Sequence, residues 1–447
     1  MTNIQFPDTL KWGAATASYQ IEGAADEGGR SPSIWDVFSH TPGKVKNGDT
    51  GDHACNSYHL YKEDVQLLRE LGIDQYRFSI SWSRVIPDGT GQLNKEGITY
   101  YRNLIQELID NGIEPMITLY HWDLPQALQE AGGWEVREIV EAFQSYAETM
   151  FQEFGNKVKK WLTINEPWCA SFLSNYLGIH APGKTNLQTA VDVSHHLLLA
   201  HGKAVQSFRK IIPDGEIGYA PNVGWLEPYS PNQADVDACR RSMMWQKEWF
   251  MDPVFKGTYP ETLVQLFAEH NAKLNVEEGD LAIISEPVDF MGINYYTGSL
   301  GRFKKGEGLF QVEEIPLDER RTDIDWPIYA DGFYKVLTDI HQTYGDVPIY
   351  ITENGACYNH GVEDGRVHDK DRIEYLKQHL TALHRALEAG VPIAGYIVWS
   401  LLDNFEWAEG YEKRFGIIHV NYATFERTKK DSYYWYKETV KNQGFHV

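Results

Sequence analysis

The sequence predicts an α/β fold: a single-domain (β/α)8 barrel of the TIM type over residues 1–447, with its active site at the C-terminal ends of the strands. Three observations carry that expectation. A helix–glycine–strand unit recurs along the chain, the strand candidates number eight, and polar residues gather at one end of those strands.

The recurring unit is clearest in ELGIDQYRFSIS (70–81), DNGIEPMITLYHW (110–122) and EAGVPIAGYIVWS (388–400). In each, a helical stretch meets a glycine, an aliphatic residue follows, and a strand begins. Gly72, Gly112 and Gly390 stand where a helix end favours the left-handed conformation, with the next apolar residue closing the cap. Ahead of the second glycine, Tyr101, Leu104, Ile105 and Leu108 fall at helical spacing. Repeated units of this kind imply αβ connections and a parallel sheet.

Taken in order, the strands are LKWGAATA (10–17), QYRFSIS (75–81), PMITLYHW (115–122), WLTI (161–164), EIGYAP (216–221), DFMGINYY (289–296), PIYIT (348–352) and AGYIVWS (394–400). Helical segments separate most of them. The fourth is typical: aromatic, aliphatic and β-branched residues suit a buried pleated surface. It stops at Asn165-Glu166-Pro167, because proline cannot continue a central strand. A doubly wound sheet is the alternative architecture, but no GxGxxG follows the first strand. Residues 300–330 lack clear periodicity and are expected as one long loop after the sixth strand.

Composition narrows the partners. The net charge of −22 argues against nucleic acid and anionic membranes. The four cysteines are scattered and form no CxxC pair, so neither a zinc site nor a disulfide scaffold is expected. The N-terminus lacks a basic stretch followed by an apolar core, so no signal peptide and a cytoplasmic location are expected. A homo-oligomer remains open. The 14 Trp and 26 Tyr point toward sugars, which stack their C–H faces on aromatic rings.

Buried barrel strands should read as aliphatic runs, yet these end in Arg77, His121, Asn165-Glu166, Asn222, Asn294-Tyr295-Tyr296, Glu353-Asn354 and the stretch WSLLDNFEWAEG. Singly, each residue has a bland reading. His195, His196 and His201 lack the i, i+4 spacing of a zinc helix and read as structural or surface residues. Cys169 and Cys357 read as small buried hydrophobes. Together the strand ends suggest cleavage of a glycosidic bond, which needs one carboxyl to protonate the leaving oxygen and another to attack carbon or activate water. Glu166 and Glu353 supply the pair. Asn165 is placed to bond a sugar 2-hydroxyl. Arg77 and Tyr296 can hold one carboxylate ionised. Gln20, His121 and Glu406 can bond hydroxyls, and Trp399 and Trp407 can stack on the ring. In this reading Asn165-Glu166 are aimed into a pocket rather than used as a helix cap.

The chain resembles the family 1 glycoside hydrolases, which are mostly retaining β-glucosidases. The matching motifs are FPDTLKWGAATASYQIEGA, YRFSISWSRVIPDG, TLYHWDLPQAL, TINEP, GINYY, ITENG and WSLLDNFEWAEGYEKRFG, in family order from residue 6 to 417. The resemblance implies that Glu166 is the acid/base and Glu353 the nucleophile. It places Gln20, His121, Asn165, Glu406 and Trp407 on the sugar, and Trp399 beneath it. Arg77, Asn294 and Tyr296 match positions around the nucleophile, and Trp168 and Trp326 resemble aglycone-side residues. No metal or organic cofactor is implied. The substrates it implies are β-glucosides and cello-oligosaccharides. Two alternatives stay open: a 6-phospho-β-glucosidase, against which Glu406 would repel the phosphate, and an inactive sugar-binding barrel.

Overall fold

The computed structural model describes residues 3–318 and 320–446. All eight expected strands form: β1 (Lys11–Ala15), β2 (Gln75–Ser79), β3 (Glu114–Tyr120), β4 (Lys160–Asn165), β5 (Glu216–Ala220), β6 (Met291–Asn294), β7 (Ile349–Asn354) and β8 (Ile393–Trp399). They pair in the order β5-β4-β3-β2-β1-β8-β7-β6, each neighbour parallel. The two outer strands also meet. The Asp289 N–H donates to the Ile217 carbonyl at 2.9 Å and the Asn294 N–H to the Pro221 carbonyl at 3.0 Å, so the sheet closes on itself.

Helices α1 (Ser57–Leu71), α2 (Lys95–Asp110), α3 (Ile139–Phe154) and α4 (Leu187–Ile211) return the chain between the first five strands. Gly72, Gly112 and Gly390 have φ of 79°, 75° and 88°, as their positions after helices require. The Ile113 N–H reaches back to the Leu108 carbonyl at 2.9 Å, bonding the residue after that glycine to the helix it follows.

Two apolar layers result. A small cluster including Met116, Leu162, Ala220, Tyr350 and Ile397 fills the barrel interior, with Trp399 above it. A much larger one lies between strands and helices, where Trp161 meets Phe151 edge-on at 5.0 Å. The bottom of the barrel is sealed by a buried pair, Lys160 Nζ donating to the Tyr350 hydroxyl at 2.7 Å.

One expectation is corrected. Residues 300–330 are not one loop. Gly298–Phe303 pairs antiparallel with Val312–Ile315 and parallel with Trp225–Pro228, making a three-stranded sheet outside the barrel. These strands are short and charged on their exposed side, too brief for an alternation to register. Helix α5 (Gln233–Gln246) packs on them closely: a Cβ on Gly301 would lie 2.3 Å from Cys239 Sγ. The α4 histidines take the structural of the two readings open to them. His195 is buried between Tyr259 and Asp280, each at 2.9 Å, and His201 bonds Thr163 at 2.7 Å. Among the described residues no helix is long and apolar enough to cross a membrane.

Candidate active site

At the top of β4 the strand becomes a helix without a loop. Pro167 occupies the first helical position, where its missing N–H costs nothing. Glu166 therefore sits where a cap residue would, and its carbonyl accepts the Ala170 N–H at 3.0 Å. Its side chain points elsewhere: Oε1 accepts from Asn294 Nδ2 at 2.8 Å and Oε2 from the Cys169 thiol at 3.1 Å. Glu166 takes φ of 45°, a left-handed conformation costly for a residue with a side chain. Trp122 (φ 76°) and Trp407 (φ 50°) line the same cleft in the same conformation.

Glu353, at the top of β7, is bound differently. Arg77 Nη1 donates to Oε1 at 2.7 Å, and the Tyr296 hydroxyl to Oε2 at 2.6 Å. The same guanidinium reaches Asn165 Oδ1 at 2.6 Å, the Thr118 hydroxyl and the Thr352 backbone carbonyl. Arg77 and Tyr296 thus lie beside Glu353, as expected. Asn294, expected there too, directs its amide hydrogen bond to Glu166. It also lies near enough to Glu353 to favour that carboxylate's charged form.

Burial raises both carboxyls, and their neighbours then separate them. Burial and then the charge of Glu353 push Glu166 up to about 7, opposed only weakly by Asn294, Cys169 and Arg77. Glu353 is also raised by burial, while the Arg77 charge, the Tyr296 hydroxyl and the Arg77 hydrogen bond pull it back. One cleft therefore holds a carboxyl suited to carry a proton and a carboxylate suited to stay ionised. That pairing fits acid catalysis by one and attack by the other.

The deep end of the cleft collects polar atoms without protein partners. Asn165 Oδ1 accepts from Arg77 and Asn294, so its Nδ2 is the donor to His121 Nε2 at 3.1 Å. His121 is neutral, because burial and then Arg77 hold its imidazole well below the ordinary value. The ring proton therefore sits on Nδ1, which is buried and unpartnered. Gln20 donates through Nε2 to Asn404 and Phe405, leaving Oε1 buried and unpartnered. Glu406 is partly exposed as a residue, but its Oε2 is buried without a partner. Burial and the charges of Glu353, Glu166 and Glu409 push that carboxyl well up. Buried polar groups demand hydrogen bonds, so a ligand rich in hydroxyls fits these three atoms. The His121 ring lies nearly parallel to Trp399 and to Trp407, each 5.9 Å away.

The cleft has a volume of about 500 Å³. Glu166, Glu353, His121, Asn294, Tyr296, Trp399, Glu406 and Trp407 line it, as do the partly exposed Trp168 and Trp326. Gln20, Asn165 and Arg77 sit behind, bonded to residues of the wall or of the loop carrying it. The Cys169–Glu166 contact was missed by reading Cys169 as an inert hydrophobe. The signal was present: three residues apart at a helix start, the two share a face. His180 and Gln246 also line the cleft and carried no motif.

The sequence profile of glycosyl hydrolase family 1 matches residues 2–445. Beta-glucosidase A of Acetivibrio thermocellus is 48% identical over 448 residues, covering 100% of each chain. The 1,4-beta-D-glucan glucohydrolase of Thermotoga neapolitana is 44% identical, covering 98% of this chain and 99% of its own. Among solved structures, the Thermotoga maritima family 1 glycoside hydrolase complexed with a cyclophellitol analogue transition state mimic superposes with a TM-score of 0.96 at 45% identity, covering 100% of each chain.

Proposed function

The chain belongs to glycosyl hydrolase family 1, and from that premise we propose that it is a retaining β-glucosidase acting on terminal β-D-glucosyl residues of cello-oligosaccharides and of aryl or alkyl β-glucosides. The observation that carries this reading is the contrast between two facing carboxyls. Glu166 is buried with weak donors and holds a proton near neutrality. Glu353 is tied to a guanidinium and a phenol, both of which favour its charged form.

In the first step Glu353 attacks the anomeric carbon while Glu166 protonates the leaving oxygen, giving a covalent glycosyl-enzyme. In the second, Glu166, now a carboxylate, takes a proton from water as it attacks that carbon, and Glu353 leaves. Glu166 is the one carboxyl that must change protonation in each step, and its position near 7 suits both directions. Asn165 Nδ2 has one hydrogen beyond its bond to His121 for the 2-hydroxyl. Gln20 Oε1, His121 Nδ1–H and Glu406 Oε2 offer an acceptor, a donor and a carboxyl to the remaining hydroxyls, and Trp399 underlies the ring.

NMR of the first sugar released tests the mechanism. The β anomer is expected, and first appearance of the α anomer would show inversion and remove Glu353 as nucleophile. A panel of aryl β-glucoside, β-galactoside, β-fucoside and 6-phospho-β-glucoside tests the substrate. The phosphorylated sugar should be the poorest, because neither Lys nor Arg is among the described residues lining the cleft, so nothing there offsets its charge.

A further inference from the structure

Asn354 closes β7 one residue past Glu353 but does not line the cleft. It is wholly buried, and its amide is tied on both sides. Nδ2 donates to the Tyr295 carbonyl at 2.7 Å and to the Tyr375 hydroxyl at 3.3 Å, and Oδ1 accepts from the Tyr396 hydroxyl at 2.7 Å. Tyr375 stands on helix α6 (Lys370–Glu388) and donates its own proton to the Tyr296 carbonyl at 2.7 Å. Its ring lies flat on His379, 3.8 Å away, and His379 Nδ1 donates to the Tyr375 carbonyl at 2.9 Å.

These bonds fall where the barrel sheet stops. Residues 295–297 follow β6 and belong to no strand. The Tyr295 N–H still donates to the Glu353 backbone carbonyl at 3.0 Å, but the two carbonyls that follow are held by side chains from behind: Tyr295 by Asn354, Tyr296 by Tyr375. The Tyr296 phenol must reach Glu353 Oε2 at 2.6 Å. A short hydrogen bond to a carboxylate weakens steeply as its angle and length are lost, and a group in an active site has to be held to about 0.5 Å.

We propose that Tyr375 is a positioning residue for the reaction: it holds the Tyr296 backbone so that the phenol stays on Glu353, and Asn354 braces it; the inference rests on the retaining-glycosidase reading. Tyr375 lies in the layer between strands and helices and does not line the cleft, so it reaches the reacting atoms only through Tyr296. The titratable groups that face Glu353 are Arg77 on β2, Glu166 after β4, Tyr296 after β6 and Glu406 after β8. Those that face Tyr375 are His379 on its own helix, Tyr396 on β8 and Tyr358. Burial holds His379 down to about 4 and raises the three phenols. None of them is charged where Glu353, itself raised above the ordinary carboxylate value, titrates.

The test is the pH profile of kcat/KM on an aryl β-glucoside. Tyr375→Phe keeps the ring on His379 and removes only the hydroxyl. It should lower kcat/KM about threefold to tenfold. It should also move the acid limb up by about 0.3–0.5 pH unit, the direction expected of Tyr296→Phe. In a Tyr296→Phe background the same change should move the limb no further, because the phenol it acts through is gone. Tyr396→Phe, which frees Asn354 Oδ1, should give a smaller upward shift. Tyr433→Phe is the structural control: it removes an equally buried phenol's bond to the Leu67 carbonyl, 2.7 Å long and between outer helices, and should leave the limb in place. Three results overturn the inference alone: a limb unmoved in both Tyr375→Phe and Tyr396→Phe while Tyr296→Phe shifts it, a second shift of equal size in the double variant, or a matching shift in Tyr433→Phe. A wild type inactive on every aryl β-glucoside, or an unmoved limb in Tyr296→Phe, overturns the reading beneath it, and this one with it.

Discussion

Glu353 and Glu166 are one residue type, both buried, on opposite walls of one cleft, and they differ in who donates to them. At the β7 end a guanidinium and a phenol hold Glu353, each within 2.7 Å. At the β4 end an amide and a thiol hold Glu166, at 2.8 and 3.1 Å. Burial pushes both upward, so burial cannot assign the roles. The donors separate them, because a charged donor stabilises a carboxylate far better than an amide or a thiol does.

Removing each carboxyl is the hardest test of that difference. Glu353→Ala should lower turnover of every glucoside by roughly four orders of magnitude or more, whatever the leaving group. Assays with a dinitrophenyl and an alkyl β-glucoside check this; substantial activity on either would break the assignment. Glu166→Ala should split them. Alkyl glucosides should lose roughly 10²–10⁴-fold, while the dinitrophenyl glucoside, whose leaving group needs no proton, should still form the glycosyl-enzyme. Added azide should then speed turnover and yield a β-glycosyl azide. An α-azide, or no rescue, would place the acid/base elsewhere.

A smaller change tests the donors. Tyr296→Phe removes one of the two short bonds to Glu353. A hydrogen bond to a charged group contributes ~1.5–3 kcal/mol, so kcat/KM should fall roughly tenfold to hundredfold. The acid limb of the pH profile should also move upward, since Glu353 loses a group that favours its ionised form. A variant with an unmoved acid limb would mean the phenol does not set that carboxylate.

The smallest expected effect concerns the thiol. The reaction needs Glu353 ionised and Glu166 protonated, so activity rises through the first titration and falls through the second, near 7. The Cys169 hydrogen bond favours the Glu166 carboxylate. Cys169→Ala should therefore move the alkaline limb up by ~0.5 pH unit, and Cys169→Ser, with a stronger donor, should move it down. Shifts in one direction for both variants would point to altered packing instead. The groups facing Glu166 from other elements, Glu353, Arg77 and Glu406, are the same in every variant.

The barrel was legible because its signals are local. A left-handed glycine after a helix, an aliphatic residue and then a strand is a grammar of neighbouring residues, and three αβ units repeat it. The strand-end positions of Glu166, Glu353 and Asn294 follow from the strand boundaries that grammar helps to set. The outer sheet was less legible, since Gly298–Phe303 and Val312–Ile315 are short, half-exposed and rich in charge. For His195 and His201 the sequence left a structural and a surface reading, because the residues that decide for the structural one, Tyr259, Asp280 and Thr163, lie far away in the chain.

By itself, then, the sequence determined the order of the elements and which side chains stand at the strand ends, because both depend on local backbone preference and hydrophobic period. Only the tertiary structure decided who bonds whom there: that Asn294 turns to Glu166, that Cys169 donates to it, and that His121 keeps its proton on Nδ1. Those choices depend on distances between strands that meet only when the barrel closes. They depend also on burial, which makes each remaining donor and acceptor count.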